Sequence, residues 1–363
     1  MRKIKSSLAK SKYVGVLPKG CELCIKGLKS VLFVTGICKV NCYYCPLSHL
    51  KKNKDIVVIN EKNVSCDEDV INEIKLCKSK GAGITGGDPL LRLERTIHYI
   101  KLLKEEFGSK FHLHLYTYGE LNENVFREQL KRLYEAGLDE IRFHLDMETK
   151  ANWHLVKIAR EYSWDVGVEV PCIPDKEKHL IEMINYLEEI NADFINFNEF
   201  EASELTVDRI IERGYELNFD EFNTIKGSYE LGKKMIRYVA SFTQNLNAHF
   251  CESYVKEYYQ LRNRMKLRAE SVKRKYEVIT EEGWLLKGVI HGEDLDALMD
   301  ELSKTLRVKK TLFFKNEEKG VVETSPAVAK RAAKLGYKAE LVWELPSDDR
   351  FVMQVEPLNE EME

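Results

Sequence analysis

The chain has 363 residues, 44% of them hydrophobic and 32% charged, with a formal net charge of −3. That composition supports one large folded unit and a smaller one, and the charge balance argues against a broad nucleic-acid-binding surface. No apolar run approaches the ~18 residues of a membrane span, and the basic stretch 1–12 lacks the apolar core of a signal peptide, so a cytoplasmic protein away from the membrane is expected.

The first chemical signal in the chain is Cys21-Glu22-Leu23-Cys24, within residues 1–28. A C-x2-C pair is a half-site for an iron–sulfur cluster or zinc. An apolar strand at 31–36 comes next, followed by Cys38, Cys42 and Cys45 in a C-x3-C-x2-C run closed by Pro46. Three thiolates on one tight loop can hold three irons of a [4Fe–4S] cluster and leave the fourth open. Zinc sites usually pair two C-x2-C knuckles and close four ligands, which this run does not supply.

Further strand patterns fall at 82–85, 111–118, 140–145, 166–173 and 193–200. They alternate with helical patterns at 67–80, 93–107, 122–136, 149–162 and 177–190. Gly81, Gly108 and Gly137 stand where helix C-caps belong. Repeated βα units predict parallel strands with right-handed crossovers. An incomplete barrel and a doubly wound open sheet both fit that pattern.

After residue 201 the pattern changes. Segments 203–214 and 228–242 read as helices, and 254–275 reads as one long helix. It carries Lys256, Arg262, Arg264, Lys266, Arg268, Lys273, Arg274 and Lys275 among Tyr254, Tyr258 and Tyr259. Basic charge interleaved with aromatics suits nucleic-acid phosphate and bases, although a solvated helix face reads the same way. Residues 276–363 form a separate α+β pattern. It has a hairpin turn at Glu281-Glu282-Gly283, helices at 294–306 and 327–335, and late strands at 338–344 and 351–355. The expected organisation is therefore an arm at 1–28, a βα region at 29–201, a helical extension at 202–275 and a module at 276–363.

Polar residues at strand ends supply the remaining candidates. Thr85-Gly86-Gly87-Asp88-Pro89 follows the second strand, although Gly-Asp-Pro is also ordinary turn chemistry. Tyr116 and Thr117, Arg142 and His144, Glu169, and Asn196, Asn198 and Glu199 interrupt apolar strands. Residues two apart share a face, so Arg142 with His144 and Asn196 with Asn198 can point inward together. Buried polar groups need partners, which a ligand or structural hydrogen bonds can provide. Nine cysteines in a cytosolic chain suggest metal or redox roles rather than disulfides. Cys251, with His249 two residues before it, can join Cys21 and Cys24 in a second cluster or a zinc site. Cys172, Cys66 and Cys77 read as ordinary thiols, with Cys172 in Val170-Pro171-Cys172-Ile173 as a further candidate contributor.

The cysteine loop after the first strand, with Gly86-Gly87-Asp88 after the second, resembles the radical S-adenosylmethionine (radical SAM) superfamily over roughly 29–201. With Cys21, Cys24 and His249-Phe250-Cys251, the chain is also similar to an archaeal group loosely related to pyruvate formate-lyase activating enzymes. The resemblance implies an α/β fold, a partial (β/α)6 TIM-type barrel with a small C-terminal α+β domain. It implies a [4Fe–4S] cluster on Cys38, Cys42 and Cys45. It also implies S-adenosylmethionine (SAM) beside Tyr44, Gly86, Gly87 and Asp88; among the strand-end residues, Thr117, Arg142, His144, Glu169 and Asn198 are the further candidates for contacts to it. Asp88 is one methylene shorter than the family's usual glutamate. The implied reaction reduces SAM with one electron from a ferredoxin or flavodoxin, forming a 5′-deoxyadenosyl radical that takes a substrate hydrogen. RNA, tRNA in particular, or protein is the expected substrate. The alternatives are an activase that makes a glycyl radical on a partner enzyme, and a non-catalytic iron–sulfur or zinc module.

Overall fold

A computed structural model describes residues 1–219 and 222–359. The chain divides into two compact units, Met1–Lys75 with Ser79–Leu261, and Leu76–Lys78 with the chain from Arg262 onward.

The first unit is built on one mixed sheet. Its strands are β1 (Ile4–Ser6), β2 (Lys12–Val14), β3 (Lys29–Phe33), β4 (Val58–Ile59), β5 (Lys62–Asn63), β6 (Gly81–Thr85), β7 (His112–Thr117), β8 (Glu140–Phe143), β9 (Asp165–Pro171), β10 (Phe194–Asn198) and β11 (Asn247–Cys251). They lie in the order β1-β2-β11-β10-β9-β8-β7-β6-β3-β4-β5. β3 and β6 through β11 run parallel, and short antiparallel strands border them on both sides. The parallel strands cross the sheet in chain order without a reversal. A doubly wound sheet reverses at its switch point. Without one, right-handed crossovers put the connecting helices on a single face.

The helices of this unit are α1 (Lys19–Ile25), α2 (Asp67–Leu76, whose last residue falls in the other unit), α3 (Leu93–Phe107), α4 (Glu123–Glu135), α5 (His154–Ala159), α6 (Glu177–Glu189), α7 (Val207–Glu212), α8 (Ser228–Phe242) and α9 (Ser253–Val255). Apolar spacing explains which faces they bury: Ile97, Ile100 and Leu103 on α3, and Phe126, Leu130 and Leu133 on α4. Asn122 caps α4 by accepting from the Val125 N–H at 3.3 Å. Gly108 and Gly137 follow α3 and α4 at φ +84° and +97°, where a side chain would be strained. Gly81 opens β6 instead of capping a helix; the left-handed residue after α2 is Lys78. The pattern at 149–162 narrows to α5 because Asp146 holds a turn there, accepting from the Glu148 and Thr149 N–H groups at 2.9 and 2.6 Å.

Strand alternation separates two faces. Leu113, Leu115, Ile141, Phe143, Val166, Val168, Ile195, Phe197, Ala248 and Phe250 pack into the apolar core. Their neighbours in sequence form a buried polar face: His112, His114, Glu140, Arg142, Asn196 and His249. The strand register places these side by side, His114 opposite Glu140, Tyr116 opposite Arg142, Glu169 opposite Asn196, and Asn196 opposite His249. Helix α1 lies close over this face. A Cβ on Gly20 would come within 2.6 Å of side-chain atoms of His114, Arg142 and Lys29.

Several boundaries differ from the sequence pattern. Residues 1–28, expected as an arm, join the sheet and its cover: β2 pairs with β11, and α1 lies over the polar face. Residues 202–275 are not wholly helical, since Asn247–Cys251 extends the parallel set beyond six strands. That run has the period of a strand, but it is only five residues long between stronger helical patterns. The basic segment 254–275 is not one helix. It passes from α9 through a π-helical turn, Lys256–Leu261, into α10 (Arg262–Val272), where the units part.

The second unit is an antiparallel sheet of β12 (Val278–Ile279), β13 (Leu285–His291), β14 (Phe314–Asn316), β15 (Val321–Thr324), β16 (Ala339–Glu344) and β17 (Val352–Pro357), with α11 (Leu295–Leu306) and α12 (Pro326–Ala333). Gly283 at φ +87° sits in the β12–β13 turn. Lys287 is buried between Glu323 and Glu344 at 2.8 and 2.7 Å.

Arg142 anchors the polar face of the first unit, so Arg142→Met should cost about 3–5 kcal/mol by leaving two carboxylates without their cation. The urea midpoint should fall accordingly, with partial recovery in Arg142→Lys. An unchanged midpoint would show that the charge cluster does not hold the sheet.

Candidate active site

A cavity of about 380 Å³ opens at the C-terminal ends of the parallel strands, the end where such folds gather functional loops. Cys38, Cys42 and Cys45 line it from the loop after β3, and Gly86 and Gly87 from the turn after β6. Tyr44, Thr117, His144, Glu169 and Asn198 complete that part of the wall.

The two glycines are explained by contact. A Cβ on Gly86 would sit 2.4 Å from the Thr35 carbonyl oxygen, and one on Gly87 would sit 2.3 Å from that of Ile37. The Gly87 and Asp88 N–H groups donate to the same two carbonyls at 2.7 and 2.8 Å. The turn after β6 is therefore bonded edge to edge with the start of the cysteine loop.

Asp88 does not line the cavity. Its carboxylate accepts from Thr117 Oγ1 at 2.8 Å, from the Leu90 N–H at 3.0 Å and from the Tyr118 N–H at 3.1 Å. Burial pushes the carboxyl up to about 6, against the pull of these donors. Asp88 thus ties the end of β7 to the glycine turn.

Tyr44 Oη lies 3.0 Å from His144 Nε2, and His144 Nδ1 lies 3.3 Å from the Glu169 carbonyl oxygen. Nδ1–H can then donate to the carbonyl while Nε2 accepts from the phenol. Burial pushes the His144 pKa down and that of Tyr44 up, which keeps both neutral.

Below the cavity, Arg142 bonds Glu140 through Nε, Glu169 Oε2 through Nη1 at 2.7 Å, and Tyr116 Oη at 3.3 Å. Asn198 and Asn196 each donate to Glu169 at 3.1 Å. Burial alone would raise both glutamates, but the guanidinium overrides it and holds them low. Among the sequence-derived candidates, Arg142 is therefore a supporting group beneath the cavity, whereas Glu169 and Asn198 reach it.

Sequence reasoning missed Lys256 and Glu201. Both line the cavity and pair at 2.7 Å. Lys256 had the look of a surface cation in a basic helix, and only the placement of β11 brings it inward. Arg264 and Arg268, from the same basic run, are buried. Cys21, Cys24 and Cys251 lie outside the cavity wall. Cys172 is buried in the apolar core, and Cys66 is exposed.

The family model described as the radical SAM superfamily matches residues 32–170. A Methanocaldococcus jannaschii protein, named as a candidate glycyl-radical enzyme activating enzyme, is 43% identical over 311 residues, covering 83% of this chain and 81% of the relative. Streptococcus suis SuiB bound to SAM aligns at TM-score 0.45 and 15% identity, over 66% of this chain and 56% of SuiB. SuiB bound to the precursor peptide SuiA aligns at TM-score 0.43 and 15% identity, over 63% of this chain and 50% of SuiB. The chain thus spans about half the length of SuiB. It belongs to the radical SAM superfamily and is an enzyme whose cofactors are a [4Fe–4S] cluster and SAM. Among the described residues, no helix is long and apolar enough to cross a membrane.

Two measurements check this geometry. Gly87→Ala should push the glycine turn off the cysteine loop and weaken SAM binding at least about tenfold, or roughly 1.4 kcal/mol, by equilibrium dialysis. Asp88 is an acid whose folded pKa lies above its ordinary 3.8. Its contribution to stability should be full below 3.8 and lost as pH rises through about 6. Relative to Asp88→Asn, the wild-type melting temperature should therefore fall across that window.

Proposed function

We propose that Cys38, Cys42 and Cys45 hold the [4Fe–4S] cluster, that SAM occupies the adjoining cavity, and that the hydrogen abstracted belongs to a glycine of a partner protein. The observation that carries the site is the junction of the cysteine loop with the Gly86–Gly87 turn at one cavity. The donor set fits the cluster. Three soft sulfurs stand on one loop, and the Val40 N–H donates to Cys38 Sγ at 3.4 Å. Burial pushes the Cys38 thiol up and that of Cys42 to about 11, so metal binding has to displace their protons. The sulfurs also do not form a single-ion cage. Among the described residues, the one trio of ligand atoms mutually within 4.8 Å is His112, His114 and Glu140. The unreversed strand order and the buried polar face support an incomplete barrel around this site.

Held by Cys38, Cys42 and Cys45, the cluster would supply the single electron for reductive cleavage of SAM bound beside it, the source of the hydrogen-abstracting radical. The protein's own residues bind and orient. The Gly86–Gly87 backbone edge and Glu169 suit the methionine ammonium, and Lys256 suits its carboxylate. Asn198 suits a ribose hydroxyl, and the Tyr44–His144 pair offers an aromatic wall for adenine. Asp88 and Arg142 act as positioning groups beneath them. A ferredoxin or flavodoxin is the proposed electron donor. The 43% identical relative's name favours a glycine in a protein over RNA, and the burial of Arg264 and Arg268 weakens the RNA reading.

Anaerobically reconstituted protein with dithionite and SAM should release 5′-deoxyadenosine, and the Cys38/Cys42/Cys45→Ala variant should not. Absence of product while SAM still binds would sink the enzymatic reading of this site. Extracts supplemented with the enzyme should acquire a protein glycyl-radical EPR signal. Changed tRNA nucleosides in a deletion strain, without that signal, would move the substrate to RNA.

A further inference from the structure

Three cysteines of the first unit lie on elements that flank its polar face, away from the cavity's cysteine loop. Cys21 and Cys24 lie on α1, and Cys251 ends β11. The register puts Cys251 opposite Asn198 and His249 opposite Asn196. Asn196 Nδ2 lies 3.2 Å from Cys21 Sγ. Gln260, in the π-helical turn, donates to Cys251 Sγ at 3.3 Å. Each of the two sulfurs thus already accepts an N–H, as cluster sulfurs do. π-turns inside helices are frequent at functional sites.

Buried cysteines usually act as small hydrophobes in apolar cores, and Cys172 does so here. Cys21 and Cys251 instead lie against the sheet's polar face, by Arg142, Glu169 and Asn196. That face also holds buried atoms without a hydrogen-bond partner: Asn196 Oδ1, His249 Nδ1 and Arg142 Nη2. Leaving such atoms unsatisfied costs roughly 1–3 kcal/mol each, and of the three His249 Nδ1 is the one that can ligate a metal. His249 is arranged as metal-binding histidines are. Its Nε2 lies 2.9 Å from Ser11 Oγ, which lies 2.6 Å from Ser7 Oγ. A ligating imidazole is commonly held in this way through its second nitrogen, which leaves Nδ1 for the metal.

A single zinc ion does not fit. Zn–S bonds near 2.3 Å would bring the sulfurs to roughly 3.8 Å of one another, and no trio of these groups lies mutually within 4.8 Å. The trio that does, His112, His114 and Glu140, lies against the cations Lys29 and Arg142, which disfavour a further cation. A multi-iron cluster spreads its ligands more widely. We propose that Cys21, Cys24 and Cys251, with His249 Nδ1 as fourth donor, hold a second iron–sulfur cluster of the [4Fe–4S] type next to the floor of the SAM cavity.

The test is iron and acid-labile sulfide per chain in full-length protein reconstituted anaerobically with ferrous iron and sulfide, with zinc counted alongside. Wild type should carry about eight irons, and both Cys38/Cys42/Cys45→Ser and Cys21/Cys24/Cys251→Ser about four. His249→Cys should keep about eight irons but change the EPR signal of the second cluster; an unchanged signal would remove His249 from the ligand set. The wild-type count and the Cys38/Cys42/Cys45→Ser count do not depend on how the interior variant folds. About four irons in wild type and none in Cys38/Cys42/Cys45→Ser would overturn the second cluster, as would one retained zinc in place of iron. If such a four-iron protein still releases 5′-deoxyadenosine, the reading of the cavity stands without it.

Discussion

One buried guanidinium sets the interior of the first unit. Arg142 bridges Glu140 on its own strand to Glu169 on the next and reaches Tyr116 on the one before. Through Glu169 it also fixes Asn196 and Asn198 on β10. A charge cluster of this kind is costly to desolvate and survives only when each member is paired. Its consequence is a sheet with two characters, an apolar face packed by helices and a polar face that must be covered by protein or ligand. Helix α1 covers part of it, and Gly20 permits the close approach. The cavity takes the rest, at the strand ends.

The second constraint is a backbone junction. The turn after β6 and the start of the cysteine loop share two hydrogen bonds and leave no room for a Cβ at Gly86 or Gly87. The loop that carries the three thiols is thereby positioned by the sheet rather than by its own short sequence. Asp88 extends the junction to β7 through Thr117 and Tyr118. The side chain spans a short distance to fixed donors.

Much of this was legible in the chain. The alternation of βα units, the cysteine spacing and the glycine turn are local patterns with local physical causes, so they survive into the structure. The caps at Gly108 and Gly137 are of the same kind. What failed were features whose meaning depends on distant partners. Residues 247–251 have the period of a strand, but its short run was outweighed by the helices on either side. With that strand unplaced, Lys256 looked like a surface cation, although it pairs with Glu201 in the cavity wall. The basic run around it reads either as a phosphate-binding face or as a solvated helix face, and in the structure Arg264 and Arg268 are buried.

The sequence by itself therefore determined the class of chemistry. Spacing along one loop decides which thiolates can share a cluster, and it requires no knowledge of the fold. Only the tertiary structure decided which polar residues touch the cavity and which support it from below. Burial and strand register are properties of the assembled sheet. They place Asp88 and Arg142 beneath the site, bring Lys256 into it, and bring Asn196 of β10 to Cys21 of α1.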